Sequence, residues 1–313
     1  MTGGRRALDG FRALDEEQTT QTPPEEGGGV WSVAPRPIAE TGGVIAGRYV
    51  LAQALARGTL GQVWRATDRE TAADVALKLV PRLGPETWER FRREAEIAAT
   101  LAGPHFAVPY AFGETDDLAY FAMELLIGED LAKRLDRAER LEKRVCVELI
   151  DALAAGLTVA HQAGVVHRDL KPKNVFVVRS EAGDRFKIID FGVAKHAAVA
   201  ARVTKSGVLL GTPHYMSPEQ VVDVRAVDAR TDLWSLGAIA YRALLGRRPF
   251  EGGLSELLFQ ITRLDAPKPS SLMPWLGSSV DHFFERALAK APAERFEDAP
   301  SLARAFRRAV EAS

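Results

Sequence analysis

The stretch Leu55–Asp68 reads LARGTLGQVWRATD. Gly58, Gly61 and Val63 stand at the spacing of a loop whose backbone cradles phosphate. Residues without a Cβ let backbone N–H groups come close to an anion. The full pattern of such loops, G-x-G-x-x-G-x-V, puts its first glycine at position 56, where this chain has Ala56. Two readings stay open on these residues alone: a nucleotide loop lacking one glycine, or an ordinary β-turn. Other residues of chemical interest are ambiguous singly. Lys78 in VALKLV fits a solvated strand lysine, Asp169 in HRD a turn residue, and Glu94 a helix-surface acid.

The elements that must position these residues are legible. GRYVLAQAL and GQVWRAT predict strands flanking the glycine turn. ADVALKLV predicts another strand, in which Ala76 and Lys78 lie two apart and share a face. Pro85 to Ala102 predicts a helix, opened by Gly84-Pro85 and closed by Gly103-Pro104. Trp88, Phe91, Ala95, Ala98 and Ala102 step by three and four and mark its buried stripe; Glu94 borders that stripe and Glu96 faces solvent. AVPYAFGE and LAYFAMEL predict further strands. After Gly128 the pattern turns mainly helical, with short strand-like pieces at NVFVV and FKIID. A mixed small lobe followed by a helical large lobe is an α+β arrangement.

Composition narrows the classes. The 313 residues carry a formal net charge of −1, which gives no argument for nucleic acid or an anionic membrane as partner. Cys146 is the single cysteine, so no intrachain disulfide forms and a cytoplasmic setting fits best. The six histidines lack zinc-ligand spacing. Arg5, Arg6, Asp9, Arg12 and Asp15 interrupt any signal core. No apolar run reaches spanning length; the best candidate, Val145–Val166, carries Glu148, Asp151 and His161, and its apolar residues recur at helical spacing, so it reads as a core helix rather than a membrane span. Residues 1–47 are rich in Gly and Pro with few large apolar side chains, and are expected to form a disordered tail.

The ordered set of motifs decides between the open readings. Val165–Val178 reads VVHRDLKPKNVFVV; it is preceded by Gly58-Gly61-Val63, VALK at Val75–Lys78 and Glu94. It is followed by DFG at Asp190–Gly192, SPE at Ser217–Glu219, DLWSLG at Asp232–Gly237 and Arg295 in PAERF. In this order the chain resembles the eukaryotic-like Ser/Thr protein kinases, from Arg48 to about Arg308. The resemblance implies a two-lobed kinase domain over 48–310, with a β-rich small lobe over about 48–125 and a helical large lobe over about 126–310.

The resemblance also implies roles. Asp169 is the expected base, and Lys171 the cation at the γ-phosphate. Asn174 and Asp190 would hold Mg2+, with Mn2+ the alternative, together with ATP. Lys78 would contact the α- and β-phosphates and pair with Glu94. Ala56, Gly58 and Gly61 would lie over the phosphates; the Ala56 methyl is tolerable if its φ stays negative, and its expected cost is a stiffer loop and weaker ATP binding. Val63 and Ala76 would roof the adenine, Phe176 would floor it, Met123 is the gatekeeper, and Glu124 and Leu125 are the hinge. Asp232 would hold the catalytic loop, and Glu219 and Arg295 would form a buried structural pair.

Regulation is implied too. Arg168 and Lys195 would receive a phosphate placed on Thr204 or Ser206 of the activation loop, and Thr212 would position the substrate. The tail segment EEQTTQTPP puts Thr19, Thr20 and Thr22 beside acids, a candidate docking site for a phosphothreonine-reading domain. The implied activity is transfer from ATP to Ser/Thr of protein substrates. A pseudokinase scaffold and a small-molecule phosphotransferase are the alternatives; the complete set Lys78, Glu94, Asp169, Asn174 and Asp190 weighs against the first, and GTPHYMSPEQ against the second.

Overall fold

Alternation builds the small lobe. In β3 (Gln62–Asp68) every second residue is buried and the residues between are half-buried, the period-2 signature of a strand lying on a core. The computed structural model describes residues 39–57, 61–81, 85–101, 103–181, 183–190, 213–223 and 227–313, without the side chains of residues 85–88, 90 and 94. Around β3 lie β1 (Val44–Ile45), β2 (Tyr49–Arg57), β4 (Asp74–Pro81), β5 (Pro109–Glu114) and β6 (Leu118–Glu124). They form one antiparallel sheet in the order β1-β2-β3-β4-β6-β5. Tyr49, Leu51, Trp64, Leu77, Leu79 and Ala122 make its core.

The sheet starts earlier than the tail expectation allowed, which ran to residue 47. Gly42 N–H donates to Leu51 O at 2.8 Å, Leu51 N–H donates to Gly43 O at 2.9 Å, and Ile45 is buried. The chain reverses into β2 through Ala46 and Gly47, both at positive φ. Residues 1–38, including Thr19, Thr20 and Thr22, lie outside the described residues. Arg48 then grips Asp68 with two bonds of 2.8 and 2.7 Å, and this guanidinium holds the Asp68 carboxyl well below the usual carboxylate range.

The helix α1 (Pro85–Thr100) packs beside the sheet with Phe91 and Ala95 buried. It ends two residues before Ala102, where Thr100 Oγ1 turns back to donate to Ile97 O at 2.7 Å. The large lobe begins with a three-stranded sheet, β7 (Gly128–Asp130), β8 (Val175–Val178) and β9 (Arg185–Ile188). Between β7 and β8 lie α2 (Leu131–Ala138), N-capped by Asp130, and α3 (Lys143–Gln162). By length and composition α3 could cross a membrane, yet Leu149, Leu153 and Leu157 are buried in the large-lobe core. Cys146 on the same helix is buried, and burial pushes its thiol up to about 12.

The remaining helices are α4 (Pro218–Val222), α5 (Arg230–Leu245), α6 (Leu254–Arg263), α7 (Pro269–Leu272), α8 (Gly277–Ala287) and α9 (Ala299–Glu311). Nearly every residue of α5 is buried, so it is the axis of the lobe rather than a surface helix. The chain folds as a two-lobed α+β protein.

One ion pair locks α4 to the segment before α9. Arg295, whose side chain has no exposed surface, donates to both Glu219 carboxylate oxygens at 2.8 and 2.7 Å. Its other bonds go to the carbonyls of Ala289, Arg230 and Lys290. Burial alone would raise the Glu219 pKa; Arg295, with the Thr231 hydroxyl and a backbone bond, outweighs it and holds the carboxyl below its ordinary value. The stabilisation is therefore full above the ordinary carboxylate range and is lost as acid protonates Glu219 below it. Arg295→Ala leaves this carboxylate without its counter-charge and is expected to cost about 3–5 kcal/mol in urea unfolding at neutral pH. A loss below about 1 kcal/mol would contradict the role assigned to the pair.

Candidate active site

Strand register gathers the first group of side chains. Ala56 pairs with Val63, Val63 with Lys78, and Ala76 with Met123. Directly opposed residues share a face, and so do Ala76 and Lys78. Ala56, Val63, Ala76, Lys78 and Met123 therefore line one face of the sheet. Ala56 is absent from the positive-φ residues, which is the condition the sequence analysis set for its methyl. Gly61 has a second reason to be glycine: a Cβ there would sit 2.1 Å from Leu79 O.

Opposite this face lies the loop between α3 and β8. It is held from below by Asp232, in the first turn of α5, whose side chain has no exposed surface. The Asp232 carboxylate accepts from His167 N–H, Arg168 N–H and His161 Nε2, each at 2.8 Å. Arg168 is thereby kept at φ 64°, a left-handed conformation that costs a non-glycine residue about 1–3 kcal/mol. Gln220 Nε2 donates to Arg168 O at 2.7 Å, and Asp169 N–H donates to His167 O at 2.9 Å. Both ends of the peptide bond leading into Asp169 are thus fixed.

The Asp169 side chain is fixed as well. Lys171 Nζ donates to its two oxygens at 2.8 and 2.9 Å. Asn174 Nδ2 donates to Asp169 O at 2.8 Å and Oδ2 at 3.2 Å, from the 3-10 turn Pro172–Asn174. Asp190, just after β9, sits at φ 59° and accepts from Lys78 Nζ at 2.8 Å. This bond joins residues 112 apart and spans the two lobes. His167 is buried, and that burial lowers its pKa.

The strand end between the lobes carries a tie that the sequence analysis did not contain. Glu124 accepts from Lys187 Nζ of β9 at 2.5 Å and from Val108 N–H at 3.1 Å. Its own N–H donates to Val108 O, so that donor is committed to the protein, while Leu125 is the first residue past β6. Phe176 on β8 is half-buried and pairs with Asp130 and Lys187. Gln220 was also missed. Its sequence signal was the capping box Ser217-x-x-Gln220, which the structure contains, but the partner Arg168 is 52 residues away. Gly58, Lys195, Thr204, Ser206, Thr212 and the Glu94 side chain lie outside the described residues.

Asn174 and Asp190 supply oxygen ligands of the kind hard divalent cations take. Asn174 spends its amide nitrogen on Asp169, which leaves its carbonyl oxygen for a ligand. Among the described residues no group of three or more His, Cys, Asp or Glu could hold a metal, so any cation here needs further oxygens such as those of a phosphate.

A β-rich lobe whose lysine meets an aspartate of a helical lobe, beside an HRDLKPKN loop, defines a protein kinase fold. The chain belongs to the protein kinase family: the family model described as "Protein kinase domain" matches residues 49–306. It is 38% identical over 283 residues to the serine/threonine-protein kinase PknA of Mycobacterium tuberculosis, covering 85% of this chain and 64% of that protein. It is 36% identical over 274 residues to the serine/threonine-protein kinase Pkn1 of Myxococcus xanthus, covering 86% of this chain and 38% of that one. The chain thus spans less than two thirds of the length of these curated relatives. The family in general uses ATP and a divalent metal.

Gln220→Met keeps the side-chain length but removes the bonds to Arg168 O and Ser217 N–H. Each buried group so orphaned costs about 1–3 kcal/mol. The expected result is lower stability and faster hydrogen exchange at the Ser217 amide; wild-type exchange and stability together would contradict it.

Proposed function

We propose that this chain is a Ser/Thr protein kinase that transfers the γ-phosphoryl group of ATP to Ser or Thr hydroxyls of proteins. The observation that carries this is the doubly held Asp169, gripped by Lys171 and Asn174, beside the inter-lobe pair Lys78–Asp190. Phosphoryl transfer is governed by positioning and charge neutralisation, and this arrangement supplies both.

In the proposed reaction Asp169 orients the acceptor hydroxyl and takes its proton. The hydroxyl oxygen bonds to the terminal phosphorus, the bond from that phosphorus to its bridging oxygen breaks, and ADP leaves. Lys171 neutralises charge on the transferred group, and Lys78 holds the α- and β-phosphates. A divalent cation at Asn174 and Asp190, Mg2+ or Mn2+, would neutralise the phosphate oxygens. Val63, Ala76 and Met123 bound the adenine side of the cleft, with Phe176 opposite.

Phosphate transfer from labelled ATP with Mg2+ tests the proposal. Wild type is expected to phosphorylate itself or a protein substrate, and Asp169→Asn to lose about 10²–10⁴-fold in rate. Absence of any transfer by wild type would refute the kinase reading in favour of a scaffold; transfer to small molecules alone would favour the other phosphotransferase class.

Regulation extends the same reading. A phosphate on Thr204 or Ser206 adds about −1.5 to −2 charge, for which Arg168 and Lys195 are the counter-charges. Mass spectrometry after incubation with MgATP is expected to find phosphate on at least one of the two, and the same maps show whether Thr19, Thr20 or Thr22 carries a docking phosphate. Full activity of a Thr204→Ala/Ser206→Ala double variant would contradict the activating role.

A further inference from the structure

A cavity of about 90 Å³ opens beside the Asp169–Lys171 pair, between α2, the 3-10 turn Pro172–Asn174 and the segment following α5. Its wall carries four cationic side chains, Lys171, Lys173, Arg242 and Arg248, and one carboxylate, Asp136. That imbalance is local, since the whole chain is close to neutral.

The cations differ in how far they are already matched. Lys171 faces Asp169. Arg242 lies 3.6 Å from Asp136 and donates to the carbonyls of Glu139, Leu135 and Gly246, which makes it a fixed part of the wall. Lys173 is exposed and, like Arg248, has no carboxylate partner for its side chain among the described residues. Glu251 takes the Arg248 backbone N–H at 3.4 Å, not its guanidinium. Arg248 Nη1 meets His214 Nε2 at 3.4 Å and the guanidinium also bonds the Tyr215 side chain, while its Nε is buried with no acceptor among the described residues. Burial first, then the charge of Arg248, lowers the His214 pKa, which favours the neutral ring; neither form of an imidazole is a counter-ion for a guanidinium. Among the described residues the Arg248 side chain has only neutral partners, so an oxyanion entering the cavity it lines would be its counter-charge.

We infer that this cavity is a subsite for an acidic side chain of the protein substrate, so that the chain prefers acceptors flanked by Asp, Glu or a phosphorylated residue. The inference rests on the kinase reading and deepens it. Lys171 touches the Asp169 carboxylate and also lines the cavity. An extended peptide advances about 3.3–3.6 Å per residue, so the acid lies within about three residues of the acceptor hydroxyl. Carboxylate and phosphate share the chemistry that the two unmatched cations recognise, and Arg248 can engage either through more than one N–H.

The test uses the full chain, MgATP and peptides with a single Thr acceptor. Glu, Gln or Lys is placed in turn at each of about three positions on either side, and phosphoserine then replaces Glu at the responsive position. One position is expected where Glu exceeds Gln by about tenfold in kcat/KM, with Lys lowest, the factor that corresponds to about 1.4 kcal/mol. Higher rates with phosphoserine than with Glu would identify a primed substrate as the better occupant, and the reverse a plain acidic one; both support the subsite. Lys173→Glu is expected to invert the Glu/Lys ratio at that position, and Arg248→Gln to flatten the Glu/Gln ratio. These ratios are insensitive to a general loss of folded enzyme.

Glu and Gln peptides within about twofold at every position would overturn the subsite while leaving the kinase reading intact. Ratios unmoved in both variants would do the same. No transfer to any peptide or to a general protein substrate would remove the kinase reading and this inference with it.

Discussion

The Asp232 carboxylate is shut away from solvent under the loop that carries Asp169, and an uncompensated charge there would cost several kcal/mol. Three donors at 2.8 Å and its place in the first turn of α5 compensate it. Two of those donors are consecutive backbone N–H groups, His167 and Arg168. Aiming both at one carboxylate is what forces Arg168 to positive φ, and that bend turns the next residue, Asp169, toward the cleft. The buried charge and the strained backbone are therefore one device, with the cost of each held down by the other.

From the same helix the restraint spreads through a short polar chain. Thr231, next to Asp232, donates to Glu219 Oε1 at 2.7 Å and meets Ser217 Oγ at 3.2 Å. Ser217 and Gln220 cap α4 reciprocally, and Gln220 returns to Arg168 O. Glu219 in turn is closed off by Arg295, which lies over the Trp234 ring at 5.0 Å. The loop bearing Asp169 is thus built onto the most buried helix of the molecule through bonds that are nearly all internal to the large lobe. The small lobe is tied to it by the ion pairs Lys78–Asp190 and Glu124–Lys187, and by the segment between α1 and β5, where His105 O accepts from Ile188 N–H at 2.7 Å and Phe106 packs into the large-lobe core. Side chains on the sheet face keep their mutual register, because the ladder fixes it. Among the ties that set their distance from the large lobe are those two ion pairs, each with a partly exposed member.

What could be read from the residues alone follows from the range of the forces involved. Strand alternation in QVWRATD and the helical stripe of Phe91 and Ala95 are local, and the lobes follow from them. β1 escaped because two residues, Val44 and Ile45, in a Gly-rich segment carry no periodic signal. Gly61 was legible as a glycine with a purpose, yet its contact with Leu79 O depends on a strand that pairs 17 positions on, Gln62 with Leu79. The contacts of Gln220 with Arg168 and of Glu124 with Lys187 join residues 52 and 63 apart. Nothing in either neighbourhood encodes the partner. The motif order supplied the residues at the chemical centre; the second layer that holds them had to come from three-dimensional packing.

The same distinction governs the electrostatics. A net charge near zero describes the whole surface and says nothing about the cleft. Within it, Lys78 neutralises Asp190 and Lys171 neutralises Asp169, so the carboxylates are poised without a strong net field of their own. The surplus begins one side chain further out, at Lys173 and Arg248, neither of which pairs with a carboxylate among the described residues. On the proposed reading, a highly anionic nucleotide would be met by paired groups whose lysines exchange partners, while the unmatched cations would lie where a polypeptide beside the acceptor passes. Since screening by salt falls off with burial, the buried Nε of Arg248 keeps its influence at ionic strengths that would erase an exposed lysine. On the proposed reading, discrimination among acceptors would belong to this flank of the cleft, separable from the machinery at Asp169.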